Sequence, residues 1–218
     1  MTNINIKIVS DTVCPWCYIG KKRLDKAIDI YRKVYPAGKD DTFTIHWAPF
    51  YLDPSSPKVG VPITERMVQR VGPARLEAMQ QRLALMGREE GIKFGFSGKV
   101  GNTRDSHRLI QLGKTKGEEV ENRVVLELFK RFFEGDGDIT SHDMLTEAAV
   151  EAGLDKAEVK DWLDSDKGGY EVDQEVQEAY AKDIHGVPHF TIQGKYEVDG
   201  AQDAQAFLQA FANAREGK

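Results

Sequence analysis

Cysteine is nearly absent from this sequence: 218 residues carry two, and both lie in Cys14-Pro15-Trp16-Cys17. With no second pair, and with the five histidines (His46, His107, His142, His185, His189) showing no tight ligand spacing, the usual four-donor zinc site lacks its donors. Long apolar runs are also missing, and none approaches the roughly 20 residues that a membrane span needs. Basic excess is missing too. Thirty Lys and Arg stand against 35 Asp and Glu, a formal charge of −5, so no electrostatic footprint for nucleic acid is present. The first ten residues lack the basic-then-apolar pattern of an export signal, so the expected compartment is a reducing cytoplasm. There a structural disulfide is hard to maintain, and a cysteine pair serves catalysis or metal binding instead. Internal repeats and low-complexity segments are likewise absent.

What is present fits a soluble globular chain with a full hydrophobic core, 40% of residues being hydrophobic and 30% charged. The length suits one domain with an insertion, or two small domains. Ile4, Ile6 and Ile8 alternate with polar residues and predict a strand. Helical spacing follows over Tyr18 to Tyr35 and stops at Pro36 and Gly38. Phe43, Ile45 and Trp47 alternate as a second strand, placed for a right-handed parallel crossover. The Pro- and Ser-rich stretch Leu52 to Pro62 is loop. Thr64 to Ser165 is mostly helical, with apolar faces at Leu76, Met79, Leu83 and Met86, and at Val124, Val125, Leu128, Phe129, Phe132 and Phe133. The second, aromatic stripe reads as core packing rather than as a cofactor pocket. Thr140 and Asp155 are expected N-caps, the latter in a capping box with Glu158, and Gly153 is placed to end a helix. Gly168 to Asp183 is helical again. A hairpin over His189 to Val198 is expected to turn at Gly194-Lys195, and Asp203 to cap a last helix.

The cysteine pair sits where a strand gives way to a helix. Cys14 at a helix start meets unpaired N–H groups and the positive end of the macrodipole, which favour a thiolate. Pro15 suits the first helical position. Cys17, less than one turn on, can resolve a mixed disulfide. Cys14 is therefore expected to be an exposed attacker and Cys17 a buried resolver. Three other readings stand beside this one: a zinc site, a permanent disulfide across a loop too short to stabilise much, and a pair of inert core thiols. Gly186-Val187-Pro188-His189-Phe190 is the second element. A proline opening a central strand fits at its first residue. A cis bond there would turn the Val187 N–H and C=O outward, toward the end of the sheet where the Cys14 helix begins, to pair with an extended substrate. An ordinary trans proline is the alternative.

Ser10-Asp11-Thr12-Val13-Cys14-Pro15-Trp16-Cys17-Tyr18-Ile19-Gly20 resembles the opening of the DSBA-like thioredoxin-fold oxidoreductases, in their FrnE-like branch. Asn102 to Arg108, Phe129 to Gly135 with Asp138-Ile139, Gly186 to Phe190 and Gly200-Ala201-Gln202 resemble later segments of that branch, in order and over nearly the whole chain. The resemblance implies an α/β thioredoxin fold, residues 1–55 and 166–218, split by an all-helical insertion at 56–165. It implies Cys14 and Cys17 as the redox pair, with Pro15, Trp16, Val187 and the cis-proline Pro188 at the substrate site. Asn102 and His107 are then expected to face the cleft from the insertion. From the residues alone, Asn102 is equally a helix cap, and His107 a surface or core histidine. Neither a metal nor a tightly bound cofactor is expected. The partners would be thiol or disulfide substrates, with glutathione as a conceivable co-substrate and a homodimer left open. Related glutathione transferases and 2-hydroxychromene-2-carboxylate isomerases usually carry serine at the first position and lack the second cysteine; a glutathione-dependent reaction and a non-catalytic peptide-binding role are the competing functions.

Overall fold

The structure, a computed structural model, describes residues 2–217. Strand β1 (Asn3–Ser10) is its axis, paired in parallel with β2 (Thr42–Pro49) and antiparallel with β5 (His189–Ile192). With β6 (Tyr196–Asp199) these make a four-stranded sheet in the order β2-β1-β5-β6. The alternating isoleucines of β1 are buried, as a half-polar pattern with one core face requires. The hairpin begins to turn one residue earlier than expected, with three residues, 193–195, between the paired Ile192 and Tyr196. Its central residues are Gln193 and Gly194, both at positive φ, and the Lys195 N–H donates to the Ile192 carbonyl at 3.1 Å. A left-handed pair of this kind gives a turn whose twist matches that of the flanking strands.

Helix α1 (Pro15–Val34) carries the crossover from β1 to β2 and packs beside the last helix, α9 (Ala204–Glu216), which Asp203 caps as expected. Between the two halves of the sheet domain come α2 (Ile63–Val71), α3 (Pro73–Glu89), α4 (Arg104–Thr115), α5 (Glu118–Phe133), α6 (His142–Glu151) and α7 (Lys156–Asp164). A two-residue ladder of β3 (Val61–Pro62) with β4 (Lys99–Val100) interrupts them. Helix α8 (Gly169–Ala181) leads back to the sheet, where its Ala179 clusters with Val9, Ala48 and Phe50. Gly153 ends α6 at φ 97°. Asp155 caps α7 by accepting the Glu158 N–H, but Glu158 turns outward to Lys116 instead of closing the box. At α6 the cap is Ser141, which accepts the Met144 N–H, and not Thr140, whose hydroxyl is engaged by Asp138 and the Gly60 N–H.

Helix α5 fixes the insertion to the sheet. Strand β2 is an edge, and its outward N–H groups need partners. The Ile45 N–H donates to Glu118 at 2.6 Å and the Trp47 N–H to Glu121 at 2.8 Å, while the Asn122 amide donates to the Ile45 carbonyl. Further along the helix, Phe129 and Phe133 stack on Tyr18, at ring separations of 5.2 and 6.1 Å. Tyr18 follows Cys17 directly, so one helix both closes the sheet edge and holds the turn bearing the cysteines. Among the described residues no helix is long and apolar enough to cross a membrane.

Candidate active site

The cysteine motif forms at the C-terminal end of the central strand. Cys14 is the N-cap of α1, in extended conformation (φ −90°, ψ 109°), with Pro15 at the first helical position. Its N–H donates to the Asp11 carbonyl at 3.0 Å, and the Cys17 N–H donates to the Cys14 carbonyl at 3.1 Å. Both cysteines are free thiols. Cys17 is fully buried, and burial pushes its thiol well up, with the neighbouring Cys14 sulfur adding to the rise. The Ser10 hydroxyl and the Asp11 backbone N–H face the Cys17 sulfur and act the other way.

Cys14 is not the exposed thiol that the motif suggests; it is 2% exposed. The cover is backbone from far along the chain: the Cys14 thiol donates to the Val187 carbonyl at 3.5 Å. The Val187–Pro188 peptide is cis, and Pro188 is buried while Val187 is half-buried. A concavity of about 410 Å³ opens beside this loop, lined by His185, Val187, Pro188, Glu197 and Asp199 among others. The Gly200 N–H donates to the Pro188 carbonyl at 2.8 Å and ties the loop to the end of β6.

Gly20 makes the approach of α1 to this loop close. A Cβ at Gly20 would lie 3.0 Å from the Phe190 ring and 3.1 Å from Pro188 Cγ. Glycine inside a helix is unfavourable by about 1 kcal/mol relative to alanine. That penalty was the signal in the sequence that the position serves packing. Trp16 is half-buried, with the Arg82 guanidinium of α3 5.5 Å from its ring centroid. Asn102 accepts the Arg104 N–H at 2.9 Å, at the start of α4, and its own N–H donates to the Pro57 carbonyl.

His107 is buried, 4% exposed. Its Nε2 lies 3.2 Å from the Phe50 carbonyl and 3.4 Å from Asp11 Oδ1. Asp11, three residues before Cys14, is 1% exposed; its other oxygen accepts the Leu52 N–H at 2.8 Å. Next to it, the Thr12 and Ser106 hydroxyls are hydrogen-bonded at 2.7 Å. Reading along the sequence passed over Asp11 as an individual actor, because its partners Leu52 and His107 lie far along the chain. No group of three or more metal-ligating side chains occurs among the described residues.

Residues 5–212 match the model of the DSBA-like thioredoxin domain family. A curated relative, the uncharacterized protein YwbO of Bacillus subtilis (strain 168), is 30% identical over 221 residues, 99% of each chain. Among solved structures, a probable DsbA oxidoreductase from Streptomyces coelicolor superposes with a TM-score of 0.85 at 29% identity, over 99% of this chain and 91% of that one. A 2-hydroxychromene-2-carboxylate isomerase superposes with a TM-score of 0.68 at 16% identity, covering 98% and 96%, a likeness of fold alone.

Proposed function

Because the chain belongs to the DSBA-like thioredoxin domain family, we propose that it is a thiol–disulfide oxidoreductase in which Cys14 attacks and Cys17 resolves. The carrying observation is the contact of the Cys14 sulfur with the Val187 carbonyl beside cis-Pro188. Cys14 thus lies against a short stretch of backbone whose polar groups can hold an extended chain next to the sulfur. A substrate strand pairing with Val187 takes that carbonyl from the thiol and brings its own disulfide to Cys14. The thiolate attacks one substrate sulfur, the other leaves with the electron pair, and Cys17 then displaces the bound sulfur to form the internal disulfide. In the opposite direction the internal disulfide is attacked and Cys17 leaves as the thiol. The concavity beside Val187 and Pro188 leaves the outer side of this loop open. The resemblance of the motif and of Asn102 to Arg108 supports reading the chain as a member of the FrnE-like branch.

The test is mixed-disulfide trapping. Cys17→Ala is expected to accumulate a covalent adduct with a disulfide substrate, and Cys14→Ala none, with mass spectrometry as the readout. Full exchange activity in both variants would end the proposal. Turnover of a small electrophile by Cys17→Ala with glutathione would replace it by a transferase or isomerase.

A further inference from the structure

Cys17 poses a problem that the two-cysteine scheme leaves open. Its sulfur must give up a proton when it resolves the mixed disulfide and regain one when it leaves, yet the residue is fully buried. Bulk water cannot serve it directly. The Ser10 hydroxyl is the side-chain group beside this sulfur that favours its charged form. Ser10 itself is buried and lines a small cavity of about 10 Å³, together with Thr12, His107 and Gln111. That is about the least volume that admits one water molecule.

His107 lines the same cavity. Both oxygens facing its Nε2, those of Phe50 and Asp11, are acceptors, so the neutral ring carries its proton on Nε2 and its lone pair on Nδ1. The N–H is taken by the Phe50 carbonyl. Asp11 Oδ1, 3.4 Å from Nε2, is left buried with no hydrogen-bond partner of its own. An orphaned carboxylate oxygen in a dry interior is costly unless a positive charge comes to it. Protonation of Nδ1 would supply that charge.

We propose that His107 stores the proton of Cys17, exchanging it through the Ser10 hydroxyl and the small cavity, with the Asp11 carboxylate stabilising the imidazolium. The inference rests on the oxidoreductase reading and assigns it a proton path. In resolution the Cys17 S–H bond breaks and the proton passes to the Ser10 oxygen, whose own proton moves on to His107 Nδ1. The freed sulfur attacks Cys14, the Cys14–substrate S–S bond breaks, and the substrate sulfur leaves with the electron pair. In the reverse direction the imidazolium returns the proton to the departing Cys17 sulfur. His107 reaches the sulfur only through Ser10 and is in this sense a positioning residue. The titratable and charged groups around its ring are Asp11, Tyr51 at 5.8 Å, Tyr180 and Asp173 of α8 bonded to Tyr51, and Arg104 paired with Asp173.

Two-step release from an aromatic disulfide, dithio-bis-nitrobenzoate, separates the steps. Attack by Cys14 frees one coloured thiolate, and resolution by Cys17 frees the second. His107→Gln keeps a neutral donor for the Phe50 carbonyl but is far too weak a base to store a proton. It is expected to slow the second release by about tenfold or more and leave the first within about twofold. Ser10→Ala should do the same, and Ser10→Thr, which restores a hydroxyl, should recover most of the rate. The pH dependence of the second rate should differ between wild type and His107→Gln, while that of the first rate should not. Second-phase rates like wild type in both His107→Gln and Ser10→Ala overturn the proposal, and so does equal slowing of both phases, which marks a structural role. A wild type that releases no thiolate at all sinks the oxidoreductase reading itself, a distinct outcome.

Discussion

Helices α3 and α5 carry apolar stripes of the same period, and the fold treats them differently. On α5, Val124, Val125, Leu128, Phe129, Phe132 and Phe133 are all buried, wedged between the sheet edge and the cysteine turn. On α3 only Leu76 of the stripe is buried, Leu83 and Met86 pack half-buried against the core, and Met79 is 37% exposed. The companion helix α2 has no buried residue. The α2–α3 pair meets the core through the half-buried Ile63, Leu83 and Met86, and is held at its margins by polar contacts: Asp53 with Arg66 and Arg70, Arg23 with Glu90 at 2.7 Å, and Arg82 over Trp16. The period of a stripe states which face seeks cover. Whether cover exists depends on what the chain places opposite, and α5 has the edge of β2 while α3 has only the outer side of α1. Stability is therefore concentrated under one side of the cysteine turn, and the other side is held by contacts of low energy.

The sharpest test of that contrast is a pair of truncations. Phe129→Ala removes a ring that touches Tyr18 and, at 5.9 Å, Trp47, in a fully buried site. It should lower the unfolding free energy by about 3–5 kcal/mol in denaturant titration. Met79→Ala should change it by no more than about 0.5 kcal/mol. A comparable loss in both would show that α3 is as much part of the core as α5.

A smaller effect is expected where α2 is attached. The Ser55 hydroxyl and then the Arg66 guanidinium hold the Asp53 carboxyl down at about 2. A depressed carboxylate contributes stability above its unfolded value near 4, and loses that contribution as pH falls through the folded value. With solvent screening at this partly exposed site, Asp53→Asn should weaken α2 by about 1 kcal/mol at neutral pH. The readout is amide exchange of α2. The difference from wild type should shrink as pH falls from about 4 to about 2; a difference that persists at the low end would assign the attachment to packing.

These contrasts also mark how far the sequence could be read. The alternation of Ile4, Ile6 and Ile8 and of Phe43, Ile45 and Trp47 predicts two strands because a half-buried strand has no other way to sort its side chains, and the parallel pairing follows from the helix between them. The cysteine turn was legible for a similar local reason: a strand end, a proline and a helix start lie within eight residues. Its cover was not. Val187 lies 173 residues from Cys14, and no local pattern states that its carbonyl shields the thiol. His107 was legible as a residue of interest and misleading as to place, since the cleft expected for it is a buried contact with Phe50 and Asp11. Thr140 and Ser141 are both competent caps, and which one turns inward was decided by Asp138 and Gly60.

The finest effect concerns the join between α5 and β2. Glu121 is buried, and desolvation raises its carboxyl despite the Trp47 N–H and the His46 ring at 3.0 Å, which both favour the charge. An acid raised in the folded state contributes most below its unfolded value, and the contribution is lost as pH rises through the folded one. Wild type should therefore lose stability relative to Glu121→Gln as pH climbs from about 4.5. The amide keeps an oxygen for the Trp47 N–H and can donate to the His46 ring, so the two proteins should differ by less than about 1 kcal/mol near pH 5. Denaturant midpoints over a pH series read the slope. Parallel curves would mean that Glu121 holds the sheet edge as a hydrogen-bond acceptor whose charge the surroundings have fully compensated, and the join at α5 would then be as indifferent to pH as the apolar stripe beneath it.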